Sequence, residues 1–239
     1  MRWLDLTFPT PAENLAGDEA LLELCEAGFA GEALRFWESP THFVVVGYAN
    51  KVASEVDVAA CHADGIPVLR RCSGGGTVLQ GPGCLNYALV LRMDGHHDLE
   101  SITSANCYIM KRNAAALSKI LAKPVSAEGF TDLALEGRKF SGNAQRRKRT
   151  HLLFHGTFLL NFDLGLIERY LLAPSREPEY RHGRKHRDFL RAVAIGREEL
   201  KGALRAEWNA TDGWSTPPEE PLKRLVMEKY SRDEWNLKF

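Results

Sequence analysis

The chain has 239 residues, which is enough for one large domain or for one domain with a small appendage. Its 44% hydrophobic and 26% charged residues are typical of a folded globular protein. The 31 basic and 31 acidic side chains cancel, which excludes a global field that recruits nucleic acid or an anionic membrane surface.

The first predicted elements are a strand and a helix. RWLDLTF predicts a strand over residues 2–8, and Pro11 introduces a helix that runs to about Ala27. Small and apolar residues share one face of this helix, whereas the acidic residues Asp18 and Glu19 are predicted to face water.

Strands and one short helix are predicted from there to residue 92. EALRFWES and HFVVVG predict two neighbouring strands joined by a turn at Ser39-Pro40-Thr41. DVAACHADG predicts a short helix that ends at Gly65, and IPVLRR and CLNYALVLR predict two further strands.

The longest predicted helix, residues 101–121, precedes three strand-like segments: DLALEG, RKFSGNAQR and HLLFHGTFLLNFD. Residues 173–191 predict an ordered surface loop rich in proline and arginine, and two helices separated by a turn at residues 213–221 end the chain. Because strands come in runs with helices between the runs, we expect an α+β fold with a mixed, largely antiparallel sheet flanked by helices. We expect a single domain over residues 1–239.

The cysteines and the N-terminal residues indicate the cellular compartment in which the protein is expected. Five scattered cysteines without a C-x-x-C pair match neither a zinc site nor a secreted disulfide scaffold. The start MRWLDLTFPTPAENL has no apolar signal core, and no apolar run approaches membrane-spanning length. These features predict a cytoplasmic protein without membrane contact.

The stretch RRCSGGGTVLQGPG, residues 70–83, combines permanent charge with backbone freedom. Arg70 and Arg71 are forked donors suited to phosphate or carboxylate, and consecutive glycines let backbone N–H groups approach an anion. Two common phosphate-binding motifs are excluded. G-x-x-x-x-G-K-[S/T] is absent because no lysine follows the glycines, and G-x-G-x-x-G is absent because Leu79 stands in place of the third glycine. The stretch indicates a cradle for a phosphate-bearing ligand; the alternative is a glycine-rich hairpin with solvated arginines.

Two later segments add polar groups that could face the same ligand. Alternation in KFSGNAQ predicts one polar face that comprises Lys139, Ser141, Asn143 and Gln145. In HLLFHGTFLLNF, His155 projects opposite a near-continuous apolar face. If the two strands are neighbours, Lys139 and His155 reach one cavity. The alternatives are a solvated edge lysine and a core histidine bonded to a backbone carbonyl.

In order and spacing, RRCSGGGTV…GCLNYAL, GFTDLALEGRKFSGNAQR and HGTFLLNFDL resemble the lipoate–protein ligases, over roughly residues 1–190. The resemblance implies the catalytic domain of the biotin/lipoate protein ligases. It also implies a two-step reaction, in which ATP and Mg²⁺ activate lipoate or octanoate as an acyl-adenylate. The acyl group then passes to a lysine of a lipoyl domain, in a 2-oxoacid dehydrogenase or in the glycine cleavage H protein.

The resemblance also implies roles for individual residues. Lys139 is the implied catalytic residue, which contacts the phosphate and the acyl carbonyl and stabilises charge as it develops. Asp132 is implied near the adenylate and its Mg²⁺, which enters with the nucleotide and not on a cluster of protein ligands. The other implied substrate- and adenylate-binding residues are Arg70, Ser73, Gly74, Gly75, Gly76, Gln80, Asn86, Ser141, Gly142, His155, Gly156 and Thr157.

The chain departs from the pattern of the ligases at several points. Gln80 stands where many relatives carry histidine, and Thr131 replaces a frequent asparagine before Asp132. The larger ligases also carry a C-terminal accessory domain that is not predicted here. A separate accessory subunit supplies that domain, or the chain performs only part of the reaction efficiently.

The nearest alternative is an octanoyl transferase of the same fold, which takes the acyl group from acyl carrier protein through a cysteine thioester. Gly129 occupies the position expected for that cysteine, and no cysteine follows Cys107, so the sequence favours the ligase. Cys72 and Cys84 flank the glycines and are interpreted as packing residues. Biotin ligase is disfavoured because its G-R-G-R-x-G loop is absent.

A non-catalytic ligand- or nucleic-acid-binding protein is the alternative from another class. Basic residues cluster at 138–149 and at 181–187, where they could contact phosphates. No base-stacking aromatics are interleaved, so we expect a solvated turn and a docking surface for an acidic acceptor domain, and no nucleic-acid partner. His182 and His186 have the spacing of helical metal ligands, but the neighbouring arginines repel a cation.

Overall fold

The computed structural model describes residues 1–174, 176–215 and 219–239. Within these residues the helices are α1 (Pro11–Glu26), α2 (Val52–Glu55), α3 (Val58–Ala63), α4 (Ile102–Leu121), α5 (Leu164–Tyr170), α6 (His186–Phe189), α7 (Arg197–Glu207), α8 (Glu219–Leu225) and α9 (Asp233–Asn236). A π-helical turn, Val226–Tyr230, continues α8, and 3₁₀ turns lie at His97–Leu99 and Glu179–Arg181. No helix in this part of the chain is long and apolar enough to cross a membrane.

The two longest helices confirm the predictions for residues 11–27 and 101–121, and both begin at capping boxes. Before α1, the Thr10 side chain accepts from the Glu13 backbone N–H, and the Glu13 carboxylate accepts from the Thr10 N–H. Ser101 and Ser104 form the equivalent pair before α4. Both starts are therefore encoded locally in the sequence.

The C-terminal half contains more short helices than predicted. The predicted loop at 173–191 includes a 3₁₀ turn and α6, while residue 175 lies outside the described residues. In the predicted turn at 213–221, residues 216–218 lie outside the described residues, and α8 already begins at Glu219. The two predicted final helices correspond to α7 and α8, and α9 follows them.

The described strands form two sheets and are β1 (Arg2–Asp5), β2 (Ala33–Trp37), β3 (Phe43–Val46), β4 (Val68–Arg70), β5 (Val78–Gln80), β6 (Cys84–Arg92), β7 (Val125–Glu128), β8 (Asp132–Leu135), β9 (Arg138–Arg147), β10 (His151–Leu159) and β11 (Asp212–Gly213). The larger sheet has the order β11-β1-β2-β6-β10-β9-β8-β7, and the smaller one β4-β3-β5. In the larger sheet β1 is parallel to both of its neighbours, and the other pairs are antiparallel. The predicted α+β class, with a mixed and largely antiparallel sheet flanked by helices, is confirmed.

The prediction that β2 and β3 are neighbours is wrong, because the two strands belong to different sheets. β2 pairs with β1 and β6, whereas β3 pairs with β4 and β5. The Ser39-Pro40-Thr41 turn lies between them, with the Ser39 hydroxyl donating to the Thr41 carbonyl at 2.8 Å. Every residue of both strands is buried, so each strand is covered on both faces in its own sheet.

The larger sheet separates two packed layers. On one face, residues such as Leu89 and Phe154 pack against α4 and α7. On the other face, Ala88 and Leu153 pack against α1. The far side of α1 contacts the smaller sheet and α8, so this helix is buried on both sides.

A β-bulge near the start of β9 decides which face each of its residues occupies. In the β8–β9 ladder Leu133 is opposite Ser141 and Ala134 is opposite Lys139, which leaves Phe140 as the extra residue. The predicted polar face is therefore wrong at its first member. Ser141, Asn143 and Gln145 lie on the α4 side, whereas Lys139 lies on the opposite side, next to Gly142.

Candidate active site

The glycine stretch is folded around the side chain of Arg71. Its guanidinium donates to the carbonyls of Gly74 and Gly76 at 2.5 and 2.7 Å. Gly75 has φ +87, which favours glycine, and its carbonyl occupies the space that a side chain on Gly47 would fill. Gly74, Gly75 and Gly76 remain exposed, so their backbone is accessible to an anionic ligand. We call residues 73–77 the glycine loop.

Lys139 forms an ion pair in front of the sheet, on the side of the glycine loop. Its Nζ lies 2.7 Å from Oδ1 of Asp132, and the side chains of both residues are largely buried. Gly142 makes room for this pair, because a Cβ there would lie 2.8 Å from Nζ. Ala144, two residues along β9, lies under Gly75. The strand therefore carries Lys139 at one end and supports the glycine loop further along.

His155 belongs to a buried chain of hydrogen bonds that anchors the start of the glycine loop. Its Nε2 lies 2.6 Å from Oγ of Ser73, and its Nδ1 lies 2.9 Å from Oδ2 of Asp18. Since a carboxylate only accepts, Nδ1 of His155 donates to Asp18. Oδ1 of Asp18 accepts from Arg35 and from Trp37, at 2.7 and 3.1 Å.

Sequence reasoning missed Asp18 as a member of this chain. The prediction that Asp18 and Glu19 face water is wrong, since they are 2% and 8% exposed. Glu19 instead accepts from Lys229 and from the Tyr230 hydroxyl. Helix α1 packs on both of its faces, so Asp18 and Glu19 are buried as well. The sequence feature that could have indicated this is Arg35, because an arginine buried in an apolar strand requires a buried anion as its partner.

Thr157, Gln80 and Asn86 close a ring of three hydrogen bonds beside the ion pair. Gln80 Nε2 donates to Thr157 Oγ1 at 2.5 Å, Thr157 donates to Asn86 Oδ1 at 2.5 Å, and Asn86 Nδ2 returns to Gln80 Oε1 at 3.0 Å. Thr157 is the β10 partner of Gly142, so this ring adjoins the Lys139 site. Gln80, in place of the frequent histidine, is held by its neighbours through both ends of its amide.

Three predicted site residues lie elsewhere. Arg70 is fully buried and donates to the carbonyls of Gly47, Tyr48 and Asn50 and to that of Trp235 near the C-terminus. Ser141 is buried on the α4 side. Gly156 is also on that side, where a Cβ would overlap the Asn143 amide. Their positions support the structure around the site and do not favour ligand contact.

A cavity of about 270 Å³ opens at the other end of the glycine loop. Its lining includes Tyr48, Ser73, Gly74, Ile102 and Arg146. Arg146 and Lys139 lie near opposite ends of β9, and the glycine loop packs on Ala144, which lies between them on the strand. An elongated ligand could contact both.

A protein-family model matches most of the chain, including the segments described above. The model of the lipoyl protein ligase A/B catalytic domain matches residues 10–199. The chain belongs to this family. The predicted resemblance is therefore confirmed, and the glycine loop, the Lys139 strand and the HGT segment of this family member all lie within the matched range.

Relatives and solved structures match nearly the whole chain. The octanoyltransferase LipM of Geobacillus kaustophilus is 30% identical over an alignment that covers 99% of this chain and 98% of that protein. A chain from the structure of a bi-partite lipoate protein ligase and its E2 lipoyl domain from Thermoplasma acidophilum has 25% identity and a TM-score of 0.83, covering 99% and 95% of the two chains. A lipoate-protein ligase A bound with ATP has 26% identity and a TM-score of 0.81, covering 99% and 98%.

The five cysteines of this family member are all described, and four of them are buried. Burial raises the pKa of Cys72 to about 12 and also raises that of Cys84. The exposed thiol is Cys107, on α4. No cysteine lies on β8, on β9 or in the segment before β8, where Gly129 has φ +55 and packs close to Pro178.

The surroundings of Asp132 do not suit this carboxylate as a direct ligand of Mg²⁺. One carboxylate oxygen binds the Lys139 ammonium and the other accepts from the Tyr180 hydroxyl, so a cation there would meet an existing positive charge. Among the described residues, no group of three or more His, Cys, Asp or Glu side chains could hold a metal ion. The described residues therefore provide no ligand set for the predicted Mg²⁺.

Proposed function

We propose that this protein transfers an octanoyl or lipoyl group to the ε-amino group of a lysine on a lipoyl domain. The observation that carries the proposal is the Lys139 ammonium, held by Asp132 beside Gly142 on the side of the glycine loop. The relatives support it, because they include octanoyltransferases and a lipoate protein ligase whose structure is described together with an E2 lipoyl domain. Lipoyl domains of 2-oxoacid dehydrogenases and the glycine cleavage H protein are the proposed acceptors.

The position of Lys139 suits acyl transfer to an amine. When the acceptor amine attacks the acyl carbonyl, negative charge develops on the carbonyl oxygen. A fixed ammonium in a partly buried site stabilises that charge more strongly than water does. The exposed glycine backbone suits the leaving group of the donor if that group is anionic.

The residues favour an acyl-adenylate, formed from ATP and the free acid, as the donor. No cysteine on β8 or β9 is placed to carry an acyl thioester next to Lys139, and burial raises the pKa of Cys72 and of Cys84, which disfavours their thiolates. The likeness to a lipoate-protein ligase A bound with ATP supports this donor.

Octanoyl transfer from acyl carrier protein is the second candidate, and the names of the LipM relatives favour it. In this chain such a transfer would proceed by direct attack of the acceptor amine on the thioester. The bond to the carrier sulfur breaks as the amide forms, and the proton of the amine goes to the thiolate.

Purified protein, incubated with a lipoyl domain and each donor in parallel, tests the proposal. The donors are lipoate or octanoate with ATP and Mg²⁺, and octanoyl acyl carrier protein without ATP; mass spectrometry of the lipoyl domain detects the product. We expect acylation of one lysine, and a loss of about 100-fold or more in Lys139→Ala. Lys123→Ala is the matched control, because Lys123 forms an equally short but exposed pair with Glu136. Absence of product with every donor would overturn the proposal.

A further inference from the structure

Tyr180 contacts the ion pair at Asp132, through the carboxylate oxygen that does not bind Lys139. Its hydroxyl donates to Oδ2 of Asp132 at 2.8 Å, while Oδ1 of the same carboxylate binds Nζ of Lys139 at 2.7 Å. Building on the proposed function, we propose that Tyr180 is a positioning residue, which orients Lys139 for acyl transfer by fixing the Asp132 carboxylate.

The hydroxyl of Tyr180 is suited to this role because it remains a donor. Burial, followed by the charge of the Asp132 carboxylate, raises the pKa of Tyr180 above its ordinary value. The ring of Tyr180 packs against Phe189 with centroids 5.1 Å apart. The tyrosine is thus held by its ring and donates through its hydroxyl.

Two arginines hold the backbone at Tyr180 and in the residues that follow it. Arg184 donates to the carbonyl of Tyr180 at 2.7 Å, to that of Arg181 at 2.9 Å and to that of Gly137 at 3.1 Å. Arg181 is buried and donates to the Arg184 carbonyl. Arg181 and Arg184 belong to the basic cluster of the sequence, and in the structure they bind backbone carbonyls of their own segment. Residues 176–191 are called the arginine segment below.

The arginine segment is also attached to the strand that carries Lys139. The backbone N–H of Arg191 donates to the Lys139 carbonyl at 2.9 Å, and Arg138 donates to the Leu190 carbonyl at 2.7 Å. The same segment therefore holds the backbone of Lys139 and the side chain of Asp132.

This arrangement matters when Lys139 turns to a ligand. An ammonium that engages a phosphate or a carbonyl oxygen shares its protons, and Asp132 then loses part of its pairing. A buried carboxylate without a partner is costly, and the Tyr180 hydroxyl keeps one charge-assisted hydrogen bond in place. Tyr180 thereby lowers the cost of Lys139 moving towards the reacting acyl group.

Tyr180→Phe tests the inference, because it removes the hydroxyl and keeps the ring against Phe189. With the donor that the wild type uses, we expect kcat for lipoyl-domain acylation to fall about tenfold and KM for the donor to change less than twofold. Tyr170→Phe is the matched control: Tyr170 also donates to a carboxylate, Oδ2 of Asp64 at 3.0 Å, but outside the site. It should keep the wild-type kcat.

A double-mutant cycle distinguishes positioning through Asp132 from a structural effect. In the Asp132→Asn background, Tyr180→Phe should change kcat by less than twofold, because the carboxylate through which it acts is gone. An unchanged kcat in Tyr180→Phe alone, a full tenfold loss in the Asp132→Asn background, or an equal loss in Tyr170→Phe overturns the inference while the proposed function stands. Absence of transfer by the wild type overturns the proposed function and this inference with it.

Discussion

Substitution of Gly142 by alanine tests whether the position of Lys139 matters. The new Cβ would lie 2.8 Å from Nζ and 2.9 Å from Cε of Lys139, whereas ordinary contact begins at 3.4 Å. The backbone of Gly142 is not in the left-handed region, so alanine causes no backbone strain there. The far end of the lysine side chain must move away from the new Cβ, and we expect this movement to disturb its 2.7 Å contact with Asp132.

The expected effects on stability and on activity differ in size. The displaced ammonium is partly exposed and can regain water, so the free energy of unfolding should fall by less than about 2 kcal/mol. Activity depends on where the charge lies relative to the acyl carbonyl, and displacements approaching 1 Å can cost about 100-fold. We therefore expect the rate of lipoyl-domain acylation to fall by about 100-fold in a protein that remains folded.

The assay compares acylation rates with urea unfolding for Gly142→Ala and for Gly202→Ala. Gly202 lies within α7, where an added Cβ meets nothing within 4 Å, and alanine there should raise stability by about 0.5–1 kcal/mol and leave activity unchanged. A Gly142→Ala protein with at least half of the wild-type rate would show that the present position of Lys139 is unimportant. The proposed role of the Lys139–Asp132 ion pair would then be wrong.

Three further predictions concern the buried network, the C-terminal contacts and the thiols. His155→Leu should lower stability by about 2 kcal/mol in thermal unfolding, because Asp18 loses a donor; an unchanged melting temperature would contradict this. Arg70→Met should lower the free energy of urea unfolding by about 3 kcal/mol, since its carbonyl partners remain buried, and a loss below 1 kcal/mol would speak against it. In the native protein at pH 8, iodoacetamide should label Cys107 alone, and Cys107→Ser should keep full activity. Labelling of Cys72 that stops transfer would instead favour a covalent thioester route.

The parts of the fold that could be predicted from the sequence are those with local signals. The capped helices α1 and α4 and the glycine loop are each encoded by residues within a few positions of one another. Strand partners are not encoded in this way. The Ser39-Pro40-Thr41 turn is compatible with a hairpin or with a crossing between sheets, and only the burial of β2 and β3 on both faces decides between them.

The site shows the same division between local and distant information. Lys139, the glycine loop and His155 could be selected from the sequence because their residue types are unusual for strands and turns. Asp18 and Tyr180 could not, since they reach the site from α1 and from the arginine segment through contacts between distant parts of the chain. Arg70 and Arg71 are adjacent and chemically alike, and only the fold directs Arg71 to the glycine loop and Arg70 to the C-terminal residues.

The bulge at Phe140 explains how one strand serves two different layers. With strict alternation, Lys139 would share the α4 side with Ser141, among Phe158 and Leu133, where an ammonium without a carboxylate would be strongly destabilised. The extra residue leaves Phe140 and Ser141 in that layer and turns Lys139 to the side of Asp132 and the glycine loop. Asp132 is opposite Gly142 in the same ladder, so the register that carries the bulge also sets the carboxylate beside the ammonium. The charge pair and the change of face therefore have a single structural cause, which no alternating pattern in the sequence reveals.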